Sequence, residues 1–298
     1  MITYRASLDV PQATVETVTR WLPAHRRRPG ARPVQRAATA RTQALLVLRW
    51  FKDATKLRIL ALDAGISIAT AYRYLHEAID RYLHEAIDVI AQKAPTLPQV
   101  LQRATAQDWP FLCLDGTLIP TTKIAARGAG TADLWWSGKH AQHGGNLQVL
   151  TGPAGYPEWV SAVEPGTVND IVTARTHVLP WLYPAAAAGL PTLTDKGYEG
   201  AGIGIIVPFK GTNLNTDAVS RNAMSNALRA PAERANALLK AAWPVLRRVT
   251  LDPWRITEIT AAALVLLHLQ RPITELRREN LSTRSTVIWA HCGSCAST

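Results

Sequence analysis

Two short apolar runs that each end at an aspartate constrain the fold of this chain most strongly. Asp115 directly follows the run Phe111–Leu114, and Asp195 directly follows the run Pro191–Thr194. An acid placed directly after such a run lies at the edge of a core, so each run predicts a buried strand. A helical pattern that starts at Pro231 comes later in the chain. Strands followed by helices predict an α/β layer rather than an all-α or all-β domain.

The helical pattern adds a third acid, Glu233, in its first turn. Carboxylates brought to one point by strand ends and a helix suit a site for two divalent ions, which stabilise the attacking and leaving oxygens of an in-line displacement at phosphate. Mg²⁺ and Mn²⁺ prefer oxygen ligands, so Asp and Glu are the expected residue types. We predict that Asp115, Asp195 and Glu233 are catalytic and bind two Mg²⁺ (or Mn²⁺). Taken alone, Glu233 is equally explained as an acid that responds to the helix dipole.

The chain is strongly basic. Its 298 residues include 33 Lys+Arg against 22 Asp+Glu, which gives a formal net charge of +11. This balance favours a polyanionic partner, either nucleic acid or an anionic membrane surface. The longest apolar stretch, Ile259–Leu269, is too short to span a bilayer and predicts a buried helix. Three cysteines exclude a disulfide-rich scaffold. The expected location is the cytoplasm, in association with the nucleoid and without a membrane partner.

Positive charge is concentrated near the N-terminus, where ten basic residues and one acid lie between Arg26 and Arg58. Proline and glycine interrupt the arginines of His25–Pro33, so we expect this stretch to be extended rather than helical, and we assign residues 1–35 to a basic N-terminal arm. Such arms follow phosphates or lie in a minor groove. A solvated linker is the alternative interpretation. The predicted DNA contacts of the arm are Arg26, Arg27, Arg28 and Arg32.

Residues 36–95 have the pattern of a helix-turn-helix module. Apolar residues occur at helical spacing in 37–53 and 56–63, Gly65 suits a tight turn, and Ser67 is a good N-cap for the next helix. That helix would direct Thr70 and Arg73 towards base edges in a major groove. An ordinary three-helix bundle is the alternative.

One octet, RYLHEAID, occurs twice in succession and fills residues 73–88. Eight extra residues lengthen a continuous helix by about 12 Å and rotate its end by about 80°. The duplication therefore predicts either a longer helix or a looped-out segment, with impaired activity as the expected result. The prolines of Lys93–Pro98 then predict a domain junction.

Several motifs occur in a recognisable order between residues 114 and 240: LDGT, WWSGKHAQHGGNLQVL, VEPGTVNDIVTAR, TDKGYEGAGIGIIVPFKG and AERANALLK. They resemble DDE transposases of bacterial insertion sequences, especially the group numbered five, which join a helix-turn-helix to a DDE superfamily endonuclease domain. The resemblance covers about Lys56–Leu269. It implies a ribonuclease-H-like catalytic domain, assigned here to residues 109–270, in which Asp115, Asp195 and Glu233 match the metal-binding triad.

The resemblance also implies further site residues. Lys240 fits the signature around the catalytic Glu and is expected to contact phosphate. Arg229 fits the same signature, whereas Asn226 replaces the tyrosine that often opens it. Proline is tolerated in the first turn of a helix but not in its interior, so Pro231 predicts that Arg229 precedes the helix. Asp170 matches another acidic position of the family, and Arg229 and Asp170 are secondary site candidates.

The function implied by the resemblance is that of a transposase. It would bind the ends of an insertion sequence, cleave DNA strands and transfer them to target DNA. The expected partners are double-stranded DNA, as terminal inverted repeats and as target, and a second copy in a homodimer. Lys139 lies in a polar stretch and is a candidate DNA contact, although a solvated hairpin explains that stretch equally well. Residues 271–298 are predicted to form a disordered tail.

Two other functions remain open from the sequence. The first is a catalytically impaired remnant that acts as a DNA-binding regulator, which the duplicated octet favours. The second is a metal-dependent DNA endonuclease that cuts without strand transfer.

Overall fold

The computed structural model describes residues 8–26, 39–54, 56–63, 85–123, 126 and 133–270. These residues form two compact units. The first contains the described residues of Met1–Ala94, Ile119–Lys123 and Leu239–Gln270, and the second contains those of Pro95–Leu118 and Ile124–Leu238. The sequence therefore does not divide at one point between an N-terminal module and a catalytic domain, because the last part of the predicted domain 109–270 belongs to the first unit.

The helices and strands are as follows in chain order. The helices are α1 (Gln12–Arg26), α2 (Ala40–Asp53), α3 (Leu57–Asp63), α4 (residues 85–91), α5 (Leu97–Ala106), α6 (Asp170–His177), α7 (Leu179–Ala187), α8 (Thr216–Ala242) and α9 (Ile256–Gln270). The strands are β1 (Leu112–Pro120), β2 (Trp136–Ser137), β3 (Gln142–Thr151), β4 (Pro157–Val160), β5 (Glu164–Pro165), β6 (Thr192–Leu193) and β7 (Ile205–Ile206).

The first unit is mainly helical. Helix α2 begins after Thr39, whose hydroxyl accepts a hydrogen bond from the backbone N–H of Thr42 over 3.1 Å. Its buried Phe51 meets the ring of Trp243 edge-on, with 5.9 Å between ring centroids. The predicted buried helix at Ile259–Leu269 is confirmed as α9, most of whose apolar side chains are fully buried.

Helix α1 lies within residues 1–35, the segment assigned to the basic arm, and of the stretch His25–Pro33 that was predicted to be extended it includes His25 and Arg26, while 27–33 lie outside the described residues. Val15, Val18 and Leu22 recur at helical spacing and are buried, so the helix removes apolar surface from water. This gain outweighs the presence of Pro23 inside the helix, and Arg26 is its last residue. The other predicted DNA contacts of the N-terminal region lie outside the described residues: Arg27, Arg28, Arg32, Thr70 and Arg73. Of the duplicated octet only residues 85–88 are described, and they are helical.

The second unit is built on a curled sheet, which confirms the α/β class and is consistent with a ribonuclease-H-like domain. The strand order is β2-β3-β1-β6-β7, and β4 and β5 also pair with β3. Strand β6 runs parallel to both β1 and β7, whereas β3 is antiparallel to β2, β4 and β5. Apolar side chains of α5, α6 and α7 share one core with Leu112 and Leu114 of β1.

Two boundaries differ from the sequence prediction. Strand β1 continues through Asp115 as far as Pro120, so Asp115 lies within the strand and not at its end. The reason is that Leu118 and Ile119 are also buried, and apolar runs on both sides of the acid favour one long strand.

Helix α8 begins at Thr216, well before Pro231. Asn215 stabilises this start, because its Oδ1 accepts a hydrogen bond from the N–H of Ala218 over 2.8 Å. Pro231 lies inside the helix, so the prediction that Arg229 precedes the helix was wrong. Glu233 is likewise far from the first turn, which removes the helix dipole as its explanation.

Candidate active site

The parallel register of β1 and β6 brings two predicted site residues together. Cys113 of β1 lies beside Leu193 of β6. Asp115, within β1, and Asp195, just past the end of β6, each follow this pair by two residues, so they lie side by side. Asp195 begins the 3-10 turn Lys196–Tyr198, and its Oδ1 accepts a hydrogen bond from the N–H of Gly197 over 2.8 Å. This bond fixes the direction in which the carboxylate points.

Asp170 is the third acid at this place. It is the first residue of α6, and both of its oxygens are engaged: Oδ2 accepts from Nζ of Lys139 over 2.8 Å, and Oδ1 accepts from Nδ2 of Asn146 over 2.9 Å. A Cβ added to Gly116 would lie 2.4 Å from Oδ1 of Asp170. The glycine that follows Asp115 therefore allows Asp170 to approach β1 closely.

The charges around Asp115 act against its ionisation. Burial raises the pKa of Asp115 from its ordinary value of 3.8 to about 6, and the negative charges of Asp195 and Asp170 add to the rise. The Arg229 guanidinium and a hydrogen bond from Asn236 oppose it. In that bond Nδ2 of Asn236 donates to Oδ2 of Asp115 over 2.8 Å. A bound cation would relieve this repulsion.

Lys139 is held at the site as a cation. Its hydrogen bond to Asp170 raises the pKa of Lys139, and the charges of Asp195 and Asp115 act in the same direction. Its side chain is nevertheless 65% exposed. The ammonium group thus belongs to the acidic cluster while still facing solvent, and its contact with DNA stays a prediction.

Glu233 does not join the three aspartates. Its side chain is 64% exposed, and its Oε1 lies 3.8 Å from Nη2 of the buried Arg229. Among the described residues, the charges that shift the pKa of Asp115 are those of Asp195, Arg229 and Asp170, and that of Glu233 is not one of them. Lys240 belongs to the first unit, whereas the three aspartates belong to the second. The predicted contact of Lys240 with phosphate stays a prediction.

A known protein family matches the part of the chain that contains these acids. Residues 114–268 match the family model described as DDE superfamily endonuclease. The match covers slightly more than half of the 298 residues. The chain belongs to this family. DNA is the substrate that a DDE endonuclease implies, and divalent metal ions are the cofactors that the superfamily generally uses. Neither the search of curated proteins nor the search of solved structures returns a match.

The oxygens of the DDE endonuclease site fit a hard divalent cation in kind. Asp115 and Asp195 each accept a hydrogen bond with one carboxylate oxygen, and within the described residues the other oxygen accepts none. Over the same part of the chain, however, no three His, Cys, Asp or Glu side chains are grouped closely enough to hold a metal ion. A site with three carboxylate ligands therefore requires a further carboxylate to move towards Asp115 and Asp195, whereas a site with two would be completed by waters.

Two amide side chains that donate hydrogen bonds to the aspartates of the DDE endonuclease were not predicted from the sequence. Asn146 orients Asp170, since its Nδ2 also donates to the carbonyl of Val168 over 2.9 Å. Asn236 orients Asp115 and lies three residues after Glu233, one turn along the helix. The only available signal was this spacing from the predicted catalytic Glu. As a separate observation, none of the described helices is long and apolar enough to cross a membrane.

Proposed function

We propose that this chain is a transposase that binds the ends of an insertion sequence, cuts DNA strands in a metal-dependent reaction and joins the freed 3′ ends to target DNA. Asp115, Asp195 and Glu233 are its proposed catalytic, metal-binding triad. The observation that carries the proposal is the pairing of β1 with β6, which places Asp115 beside Asp195 in a member of the DDE endonuclease family.

The proposed chemistry needs no covalent bond between protein and DNA. A bound divalent cation would supply charge stabilisation at the attacking and leaving oxygens of a phosphodiester. Asp115 and Asp195 would hold it through the carboxylate oxygens that accept no hydrogen bond. Tyr198 is buried among the charges of the three aspartates, and its hydroxyl donates to Gln148. Burial raises its pKa, so the hydroxyl stays protonated and takes no part in nucleophilic attack.

Hydrogen bonding favours Glu233 over Asp170 as the third ligand. Both oxygens of Asp170 already accept hydrogen bonds from Lys139 and Asn146. The side chain of Glu233 is mostly exposed, and exposed side chains change rotamer within nanoseconds. As a metal ligand Glu233 would give up only its 3.8 Å ion pair with Arg229, whereas Asp170 would have to break two hydrogen bonds of good length.

The basic N-terminal region is proposed to bind the element's ends. The helix-turn-helix contacts of Thr70 and Arg73 and the phosphate contacts of the arginine-rich segment fall outside the described residues. They are supported by the charge of the chain and by a family that acts on DNA. Pairing of two copies on two DNA ends likewise stays a prediction, which sedimentation of the protein–DNA complex would check.

The test is a cleavage and joining assay. Purified full-length protein is mixed with Mg²⁺, a target plasmid and end-labelled duplexes that carry the DNA flanking the gene. We expect cut and joined products from the natural protein, and at least about a hundredfold less of both from Asp115→Asn, Asp195→Asn and Glu233→Gln. Glu199→Gln is the matched control, because Glu199 is an exposed acid of the same unit that pairs with Lys210.

Each alternative has its own result. Cutting without joined products would support an endonuclease that lacks strand transfer. Binding of the duplex without cutting would support the regulator, which the exposed position of Glu233 in the DNA-free protein favours. If Glu233→Gln kept full activity and Asp170→Asn lost it, the third acid of the triad would be Asp170 and not Glu233.

A further inference from the structure

Helix α8 contacts Asp115 through an amide rather than through its acid. Nδ2 of Asn236 donates a hydrogen bond to Oδ2 of Asp115 over 2.8 Å. Positions three apart in a helix are neighbours on its surface, so Asn236 and Glu233 lie next to each other. Asn236 is the half-buried member of this pair, and Glu233 is the exposed one. The orientation of Asp115 in the protein therefore depends on Asn236.

The other polar atom of the same amide has no partner in the part of the chain that the structure describes. Oδ1 of Asn236 is buried and accepts no hydrogen bond from the described residues. A buried acceptor that stays unsatisfied costs about 1–3 kcal/mol, and an apolar side chain of the same shape would avoid that cost. The bond from Nδ2 to Asp115 explains the donor of this amide, but stability gives no reason for the buried Oδ1, whereas a hydrated ligand beside Asp115 would give one.

We propose that Asn236 is a positioning residue for metal binding. Its N–H fixes Asp115 by one oxygen and leaves the second oxygen to a divalent cation, and its Oδ1 accepts a hydrogen bond from a water that accompanies that cation. Mg²⁺ usually keeps several of its waters, which supply such donors. The inference rests on the proposed function because it takes Asp115 as a metal ligand.

The test measures metal binding without DNA. Mn²⁺ is titrated calorimetrically into the full-length protein, and the same samples are unfolded in urea. Asn236→Leu keeps the size of the side chain and removes both polar atoms. We expect its affinity for Mn²⁺ to fall at least about tenfold, as is usual when the hydrogen-bond partner of a metal ligand is lost. We expect its urea midpoint to change little, since removal of the unsatisfied oxygen offsets the lost hydrogen bond to Asp115.

Asn222→Leu is the matched control on the same helix. The amide of Asn222 bonds the backbone N–H and carbonyl of Phe209 over 2.8 and 3.0 Å. Its loss is expected to lower the urea midpoint and to leave the Mn²⁺ affinity unchanged. Asn236→Ala repeats the metal measurement in case the leucine disturbs packing. In the cleavage assay, Asn236→Leu is expected to need about tenfold more Mg²⁺ but to approach the natural rate at saturation.

Three results would overturn the inference. Natural Mn²⁺ affinity in both Asn236→Leu and Asn236→Ala would refute it while leaving the proposed function intact, provided that Asp115→Ala abolishes binding. An equal loss of affinity in Asn222→Leu would show general destabilisation instead of positioning. Absence of Mn²⁺ binding by the natural protein would overturn the proposed function and this inference together.

Discussion

Replacing Asp115 by asparagine should stabilise the metal-free protein. The pKa of Asp115 rises from 3.8 to about 6 on folding, because burial and the charges of Asp195 and Asp170 disfavour the carboxylate. The folded protein therefore binds this proton more tightly than the unfolded chain, and stability is lost as the pH rises from about 4 to above 6. The asparagine of the Asp115→Asn variant does not ionise, and its amide keeps the shape of the carboxyl group.

The expected gain follows from the two pKa values of Asp115. A pKa that rises by one is worth about 1.4 kcal/mol, so full ionisation costs the folded protein about 3 kcal/mol at pH 7.5. At pH 4.5 the carboxyl is mostly protonated in the folded protein, and the same linkage gives a cost of about 1 kcal/mol. We expect Asp115→Asn to raise the free energy of unfolding by these amounts. Urea titrations in the presence of a chelator, at both pH values, measure them.

Two outcomes would refute this reasoning about Asp115. The first is a variant no more stable than the natural protein at pH 7.5. The second is an equal gain at both pH values, which would assign the stabilisation to something other than ionisation. Glu199→Gln is the control, and as an exposed substitution it should change the free energy of unfolding by no more than about 0.5 kcal/mol. The same Asp115→Asn protein should not cut DNA. Its gain in free energy of unfolding therefore measures the stability that the natural protein lacks because it keeps a functional carboxylate at this site.

Two further predictions concern the second unit. Gly155→Ala should destabilise the protein by at least about 2 kcal/mol in urea titrations, because Gly155 has a φ of 72° and an added Cβ would lie 2.3 Å from the carbonyl oxygen of Pro231. Gly189 has a φ of 92°, but an added Cβ there would meet no described residue within 4 Å, so a loss in Gly189→Ala as large as that of Gly155→Ala would contradict the steric argument. Burial raises the pKa of Cys113 to about 12, so in a variant whose two tail cysteines are serine the native thiol should resist Ellman's reagent at pH 8 and react fully in urea. Rapid labelling of the native protein would contradict this.

The sequence was sufficient to predict the strands and helices whose burial follows from their own apolar residues. The run that ends at Asp195 and the apolar stretch of α9 were both recognised, because burial follows directly from their composition. The length of β1 and the start of α8 were not recognised. Gly116 and Pro231 are local signals for a turn and for a helix start, and the packing around them overrides both signals. Gly116 is needed for the approach of Asp170, which no local pattern reveals.

The site was predictable in part for a similar reason. Asp115 and Asp195 each lie two residues beyond a paired position of two neighbouring parallel strands, and the apolar run before each acid is visible in the sequence, so the two acids could be expected to lie together. The contribution of α8 depends on which face of the helix meets β1. Positions 229, 233, 236 and 240 have helical spacing, and the sequence does not distinguish among their faces. The structure turns Asn236 towards Asp115 and leaves Glu233 exposed.

The charges at the site predict how many metal ions bind there without DNA and with it. The three aspartates carry −3, and the two cations near them, Lys139 and Arg229, carry +2, which leaves −1. If Glu233 joins them as the third metal ligand, the total becomes −2, which one divalent ion balances. A second ion would leave an excess of +2, and two DNA phosphates would offset it. We therefore expect the DNA-free protein to bind one Mn²⁺ in the calorimetric titration, and the second ion to bind only with DNA. Two ions bound tightly without DNA would contradict this account of the site.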